Sequence, residues 1–466
     1  MIKLLMIPVM VVAALISSPL HATETKLHAL QASGTLLVAT RKGPTTFEQT
    51  TEGPRGFEYE LVRMFAKHLG VRPVFILYSD IGDLLTMVGQ GGVHLAAAGL
   101  TITPELRAAF RIGPVYQKIT QQVVYRSGSR RPRSVKDLTG RQLEVPVGSS
   151  HESVLNRHRL RHANLKWHAG DSGTREMLRR VARGELELTI ANSNEVALVK
   201  RYNPALKVAF DLKKKQSLAW LFSKHGDASL QKAARRFFKK IRADGRLAQL
   251  IDRYYGYSGR VTNVDTYWFM RHARSRLPLY LSAFHKAGKR HHIDWRLLAA
   301  VGYQESQWDA KAVSPTGVRG LMMLTRETAR DLGIKDRRDP KQSIEGGARY
   351  LRQLIRRLPK SIKGPDRLWM ALASYNIGFG HLLDARKLTK RFGRNPNHWA
   401  EVKKVLPLLK KKRWYKKTRY GAARGDETVD YVDSVRAWYD LVKWTSAAPQ
   451  NMMADVKPLK GAAGKG

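Results

Sequence analysis

The sequence predicts two halves of different fold class, an α/β half over residues 30–258 and an all-α half over residues 264–445. Three observations carry this. From Thr35 onward, short β-rich runs alternate with amphipathic helices, which builds sheets covered by helices. After the turn-rich segment Tyr257-Ser258-Gly259-Arg260-Val261-Thr262-Asn263 the pattern changes to short apolar-periodic helices that end in glycine. Finally, 466 residues are too many for one small core, and 43% hydrophobic residues is ordinary for a globular chain.

In chain order, residues 1–22 have Lys3 near the start, an apolar run from Leu4 to Ile16, and Ser17-Ser18-Pro19-Leu20-His21-Ala22 before Thr23. That is the layout of a secretory signal peptide, too short for a comfortable membrane span, with an uncleaved anchor as the alternative. The chain has no cysteine, which excludes disulfides, thiolate metal sites, thiol nucleophiles and a lipid anchor on cysteine. Lysine and arginine total 83 against 38 aspartate and glutamate, a formal charge of +45. A polyanionic neighbour is implied. No nucleic-acid recognition motif is present, so the anionic surface of the cell envelope is the expected partner rather than nucleic acid. Individual runs such as Lys213-Lys214-Lys215 and Lys410-Lys411-Lys412-Arg413 read as solvated faces.

In the α/β half, residues 36–40 form a strand candidate and residues 57–70 an amphipathic helix closed by Gly70. A strand over 74–78, a helix around 84–88 and the apolar run 95–100 follow, and this alternation argues for parallel strands. Residues 118–126 and 216–222 are β-rich and apolar, and residues 143–150 read as a strand leading to a helix N-terminus able to hold an anion. Residues 227–255 read as one long amphipathic helix.

Gly56-Phe57-Glu58-Tyr59-Glu60-Leu61 and Thr101-Ile102-Thr103-Pro104-Glu105-Leu106-Arg107 make this half resemble the bilobed periplasmic solute-binding proteins of the amino-acid type. The resemblance implies that residues 118–126 and 216–222 cross between the lobes, and that Arg107 clasps a ligand carboxylate with its planar fork. It also places Asn192, after Thr189-Ile190-Ala191, where the family carries an acid that grips the ligand's amine. Asparagine lacks that charge. A muropeptide, another amino-acid-like ligand, or none at all are the alternatives this leaves.

The all-α half begins with apolar-periodic helices over 277–287 and 295–306, the second capped by Asp294. Residues 325–332 close at Gly333, Ser343 is a candidate cap for a helix with Ile344, Ala348, Leu351, Leu354 and Leu358 on one face, and residues 366–376 stop at Ile377-Gly378. No long heptad pattern occurs. Within this half, Leu297, Leu298, Ala300, Val301 and Tyr303 bury a helix that carries Glu305 near its end. Partial exclusion of water there favours the neutral acid and raises its pKa toward the range of a general acid. A lone glutamate near a helix end is ordinarily a solvated residue, so the neighbouring motifs decide.

Those motifs are Glu305-Ser306, then Gly320-Leu321-Met322, then Ala373-Ser374-Tyr375-Asn376, and finally Glu427-Thr428-Val429-Asp430-Tyr431-Val432. In this order they resemble the lytic transglycosylases of the lysozyme-like superfamily, with Met323 standing where glutamine commonly follows Gly-Leu-Met. The resemblance implies a lysozyme-like fold, Glu305 as catalytic acid, and Ser306, Met322, Tyr375, Asn376 and Tyr431 around bound glycan. Tyr375 would orient Glu305, Asn376 would hold a sugar N-acetyl group or a helix end, and Tyr431 would line the cleft. A binding-protein half followed by this domain resembles the two-domain membrane-bound lytic transglycosylases, over residues 30–445.

Ordinary glycosidases use two carboxylates, and near Glu305 the sequence offers only Asp309. One acid suffices if the muramic acid C6 hydroxyl attacks its own C1, which needs no metal or cofactor. The resemblance therefore implies cleavage of peptidoglycan glycan strands, by an exported protein associated with the periplasmic face of the outer membrane. A receptor that binds glycan without cutting it is the alternative. Residues 446–466, rich in Ala, Gly and Lys, read as a disordered tail.

Overall fold

The computed structural model describes residues 25–50, 53–203, 205–257 and 263–447. The signal segment 1–22, the middle of the linker and the tail from residue 448 lie outside the described residues.

The α/β half forms two lobes. In the first, α1 (Lys26–Ser33) leads into β1 (Thr35–Thr40), and the hairpin β2 (Glu48–Thr50) and β3 (Gly53–Arg55) precedes α2 (Phe57–Leu69). Then come β4 (Arg72–Leu77), α3 (Ile81–Gln90), β5 (Leu95–Ala96), α4 (Pro104–Ala109) and β6 (Arg111–Ile112). Glutamates at Glu58 and Glu60 in the first turn of α2, and Gly70 in left-handed conformation beyond its end, explain its sharp bounds. Its buried face, Phe57, Leu61, Val62 and Phe65, packs with Trp220, Phe237 and Phe238.

The chain crosses to the second lobe along β7 (Gln117–Arg126). There β8 (Leu143–Pro146), α5 (Ser150–Arg159), β9 (His168–Gly170), α6 (Thr174–Arg183), β10 (Leu188–Asn192) and α7 (Ser193–Lys200) follow. It returns along β11 (Leu206–Leu218) to β12 (Leu221–Phe222), which lies in the first sheet. The strand orders are β4-β1-β5-β12-β6 and β11-β7-β10-β8-β9. The expected parallel pairing holds for β1 with β4 and β5, and for β8 with β9 and β10. It fails where the crossing strands join: β7 runs antiparallel to β10 and β11, and β12 antiparallel to β5 and β6. A chain that leaves a lobe and comes back must present at least one strand in the opposite sense.

The long helix expected over 227–255 is two, α8 (Ser229–Ala243) and α9 (Arg246–Tyr255). Gly245 breaks it with φ +81°, and a Cβ there would stand 2.9 Å from Nδ1 of His398 in the other half.

The helical half comprises α10 (Asn263–Ser275), α11 (Leu277–His291), α12 (Trp295–Ser306), α13 (Arg326–Asp331), α14 (Pro340–Arg357), α15 (Gly364–Ile377), α16 (Phe379–Arg391), α17 (Trp399–Val405), α18 (Lys412–Tyr415) and α19 (Gly425–Ala447). Asp294 caps α12 as expected, accepting from the Arg296 N–H. Ser343 caps nothing. Asp339 with Pro340 behind it starts α14 one turn earlier, and Ser343 is fully buried inside the helix. Leu297, Leu298, Val301, Leu321, Met322, Leu351, Leu372 and Val432 share one core.

The halves meet where α9 lies on α17 and α19. Arg436 of α19, 1% exposed, donates to the Asp252 carboxylate (2.8 Å) and to its backbone carbonyl (2.8 Å), while Lys403 bridges Asp252 (2.8 Å) and Asp433 (3.1 Å). Arg436 also stands over the rings of Tyr257 and Trp369, with centroids 4.3 and 5.0 Å away. Just beyond the end of α7, Arg201 reaches Asp440 of α19 (3.3 Å) and the Tyr257 hydroxyl (2.9 Å).

Candidate active site

Glu305 occupies the last turn of α12, a helix buried along most of its length. Two features let the chain bring a second segment against that turn. Gly302 presents no side chain, and a Cβ there would stand 3.0 Å from Leu321 and 3.3 Å from the Met322 sulfur. Gly320 adopts φ +95°, and a Cβ there would lie 2.0 Å from the Arg337 carbonyl oxygen, so only glycine fits. The segment 320–323 is then fixed by hydrogen bonds: Ser306 Oγ donates to the Leu321 carbonyl (2.9 Å), and the Met322 N–H donates to Ser343 Oγ (3.0 Å).

Directly after Ser306, Gln307 and Trp308 both adopt left-handed backbone, φ +52° and +58°, and Met323 does so at +46°. Consecutive non-glycine residues there are strained, at about 1–3 kcal/mol each. The anchor is Trp308, 1% exposed, whose indole N–H donates to the Ala299 carbonyl (2.8 Å) and whose ring packs on Phe269 and Tyr303. Chain direction therefore reverses abruptly behind the acid.

The half-buried Glu305 carboxyl accepts one hydrogen bond, from the Tyr431 hydroxyl to Oε1 (2.6 Å). Burial raises its pKa to about 7, partly offset by that hydrogen bond, and no charged neighbour contributes. Tyr375 does not make the contact expected of it. Its hydroxyl donates to the Met322 carbonyl (2.8 Å), holding the cleft segment, although it stands close enough for the Glu305 charge to raise its own pKa. The orienting tyrosine is Tyr431, on the 23-residue α19. Asn376, exposed in the last turn of α15, accepts from Thr428 Oγ1 (2.8 Å) and so ties α15 to the start of α19. Asp309 turns away, its Oδ1 accepting from the Lys311 N–H. The structure thus brings Glu305, Tyr375 and Tyr431 to the segment 320–323, with Asn376 exposed beside them. Met322 and Ser306, expected to meet glycan, do not face it, because Met322 is fully buried in the core and the Ser306 hydroxyl is spent on the Gly302 and Leu321 carbonyls. Among the described residues no second carboxylate acts on Glu305. Among the described residues no cluster of His, Cys, Asp and Glu could hold a metal ion.

In the α/β half Arg107 lies exposed on α4, while Asn192 is buried where the lobes meet, its Nδ2 3.5 Å from Thr101 Oγ1. Sequence reasoning missed the groups around Asn192. It is Arg41 whose charge acts on Glu58, His151 and Glu195. Burial raises the Glu58 pKa to about 7 and lowers that of His151 to about 3. Glu195, three residues after Asn192, is an acid whose pKa burial raises and whose carboxyl accepts from the Asn192 N–H and the Thr174 hydroxyl. Arg41 Nε, Gln121 Oε1, His151 Nδ1, Asn192 Oδ1 and Asn194 Oδ1 are buried without hydrogen-bond partners. No local motif marks these residues; only the apposition of the two lobes, through the crossing strand β7 and the end of β10, assembles them. The anion site expected where residues 143–150 lead into a helix is filled by the chain itself, because Glu152 accepts from the Gly148 N–H (2.9 Å).

Two family models match the chain: bacterial extracellular solute-binding proteins, family 3, over residues 36–257, and the transglycosylase SLT domain over residues 282–397. Membrane-bound lytic murein transglycosylase F of Saccharophagus degradans is 42% identical over 441 residues, covering 94% of this chain and 87% of the relative. The protein of that name from Pseudomonas fluorescens is 44% identical over 422 residues, covering 90% and 87%. Among solved structures, an ancestral arginine-binding protein bound to arginine covers 48% of this chain and 98% of its own at 21% identity, with a TM-score of 0.44.

Proposed function

The chain belongs to the membrane-bound lytic murein transglycosylase F family and is a peptidoglycan lytic transglycosylase, and from that premise we propose that Glu305 is its general acid and base and that it leaves 1,6-anhydromuramic ends. The observation that carries this reading is a half-buried carboxyl with a pKa of about 7, one hydroxyl donor and no charged partner. Near neutral pH such a group both gives and takes a proton efficiently. In the first step Glu305 protonates the glycosidic oxygen as the bond from muramic acid C1 breaks. The C6 hydroxyl oxygen then bonds to C1 and its proton passes to the Glu305 carboxylate, which restores the acid. Atoms and charge balance without water. Hydrolysis by two flanking carboxylates has no second carboxylate to use here.

Digestion of purified sacculi followed by mass spectrometry tests this. Every new muramic end is expected 18 mass units below the reducing sugar, the loss of one water; reducing ends would overturn the mechanism.

The binding half is proposed to take a muropeptide or amino-acid-like ligand between its lobes, with Asn192 and Arg107 joined by Arg41, His151 and Glu195. Unpartnered buried polar atoms support this, since such atoms ordinarily have partners. A ligand that bridges the lobes would bear on α19 through Arg201 and Asp440. With saturating muropeptide, a change in both the X-ray scattering profile and the cleavage rate is expected; identical values with and without ligand would sink the idea. The charge of +45 supports peripheral attachment to an anionic envelope surface on the periplasmic side. No helix of the described residues is long and apolar enough to cross a membrane.

A further inference from the structure

Apart from both sites, the C-terminus of α11 and the outer face of α14 flank an open surface pocket of about 230 Å³ lined by Arg290, His291, His292, Arg349, Arg352, Gln353 and Arg356. Sequence spacing builds it. Arg349, Arg352, Gln353 and Arg356 stand at positions i, i+3, i+4 and i+7 of α14, one stripe of the helix, opposite the face that Ala348, Leu351 and Leu354 bury.

Four guanidinium groups face one carboxylate. Glu345 accepts from His291 (2.8 Å) and pairs with Arg290 (3.2 Å) and Arg349 (3.6 Å), which exhausts it. Arg352 and Arg356 form no ion pair among the described residues, and Nε of Arg352 is buried without a hydrogen-bond partner. A buried guanidinium donor left open is costly and marks a place where an acceptor belongs. The negative end of the α11 dipole is blunted, because His292 in left-handed conformation (φ +51°) returns N–H groups to the Gly288 and Lys289 carbonyls.

We propose that this cavity binds a phosphate monoester. Arginine forks pair two phosphate oxygens at once, and a doubly charged group suits several converging guanidinium ions better than a single carboxylate does. The volume is below the roughly 300–1,000 Å³ of pockets that enclose whole small molecules, so it takes the charged head of a larger molecule. The site lies outside the glycan cleft and uses none of the residues around Glu305.

Calorimetry of the full chain with inorganic phosphate and with pyrophosphate, in about 0.15 M salt to screen diffuse attraction, tests the site. The variant Arg352→Gln/Arg356→Gln is compared with Lys411→Gln/Lys412→Gln, which removes the same charge from another exposed surface. Binding is expected to fall about tenfold or more in the first and less than about twofold in the second, with thermal melting and glycan cleavage unchanged in both. Arg356→Gln alone, at an exposed position, gives a second reading should the double variant fold poorly. Equal losses in the two charge-matched variants, or no phosphate binding by the native chain, would overturn the proposal. Vesicles separate the sources of the monoester. Preference for phosphatidic acid over phosphatidylglycerol at matched surface charge, lost with Arg352 and Arg356, assigns a lipid head. Phosphate binding without that preference assigns a soluble ester.

Discussion

Glu305→Gln is expected to lower glycan cleavage by about 10²–10⁴-fold, the usual worth of a positioned acid, while making the fold more stable at alkaline pH. Glutamine keeps the shape and can still accept from Tyr431, but it has no proton to transfer. The sign of the stability change follows from the raised pKa. Burial holds the folded carboxyl at about 7, above its ordinary 4.5, so its favourable contribution is complete below pH 4.5 and is lost as pH rises through 7. A neutral amide suffers no such loss. Above pH 7 the variant should therefore be more stable by about 1–2 kcal/mol, a figure discounted for solvent screening of a half-buried group, and the difference should shrink toward pH 4. The same ionisation makes native activity fall above pH 7. Denaturant melts at pH 4.5 and 8, read beside product analysis, check both parts. Residual wild-type cleavage in the variant would remove Glu305 from the mechanism.

Arg436→Ala is expected to cost about 3–5 kcal/mol, because it leaves Asp252 and Asp433 buried with Lys403 as their remaining cation. Much of that cost is the penalty of an uncompensated charge, joined by the loss of stacking on Tyr257 and Trp369. Since Asp252 belongs to the binding half and Arg436 to the catalytic half, the variant should also let the halves separate. Urea unfolding monitored by tryptophan fluorescence, with scattering for the overall dimensions, measures the two effects. Unaltered stability together with unaltered dimensions would show that the seam is held elsewhere.

Much of this architecture was legible because local and global signals agree. The bounds of α2 and α12 are written in first-turn acids, the Asp294 cap and Gly70, and the switch from period two to apolar helices marks the second half. Helix starts were less secure where two caps compete. Ser343 looked like a cap, but Asp339-Pro340 is the stronger start, and the buried Ser343 hydroxyl serves the Met322 amide instead. Gly245 was hidden in an otherwise continuous helical pattern because its reason to be glycine, the approach of His398, lies 153 residues away in the chain. At the site, Glu305, Ser306 and Met322 sit in adjacent segments whose spacing can be read. The division of labour between Tyr375 and Tyr431 could not be, since it depends on which hydroxyl reaches the carboxyl across the fold. Arg41, His151 and Glu195 carry no mark in their own neighbourhoods, and only lobe closure gives them one another.

The helix α19 carries Tyr431 at one end, Asp433 and Arg436 in the middle and Asp440 further on. Tyr431 and Asp440 stand nine positions apart along one α-helix, a rigid rod of about 13.5 Å. This rod is shared, because the catalytic half buries its Val432 and Val435 in the core while the binding half clasps it at Arg436 and Asp440. The hydroxyl that reaches Glu305 therefore rides on an element that both halves hold at once.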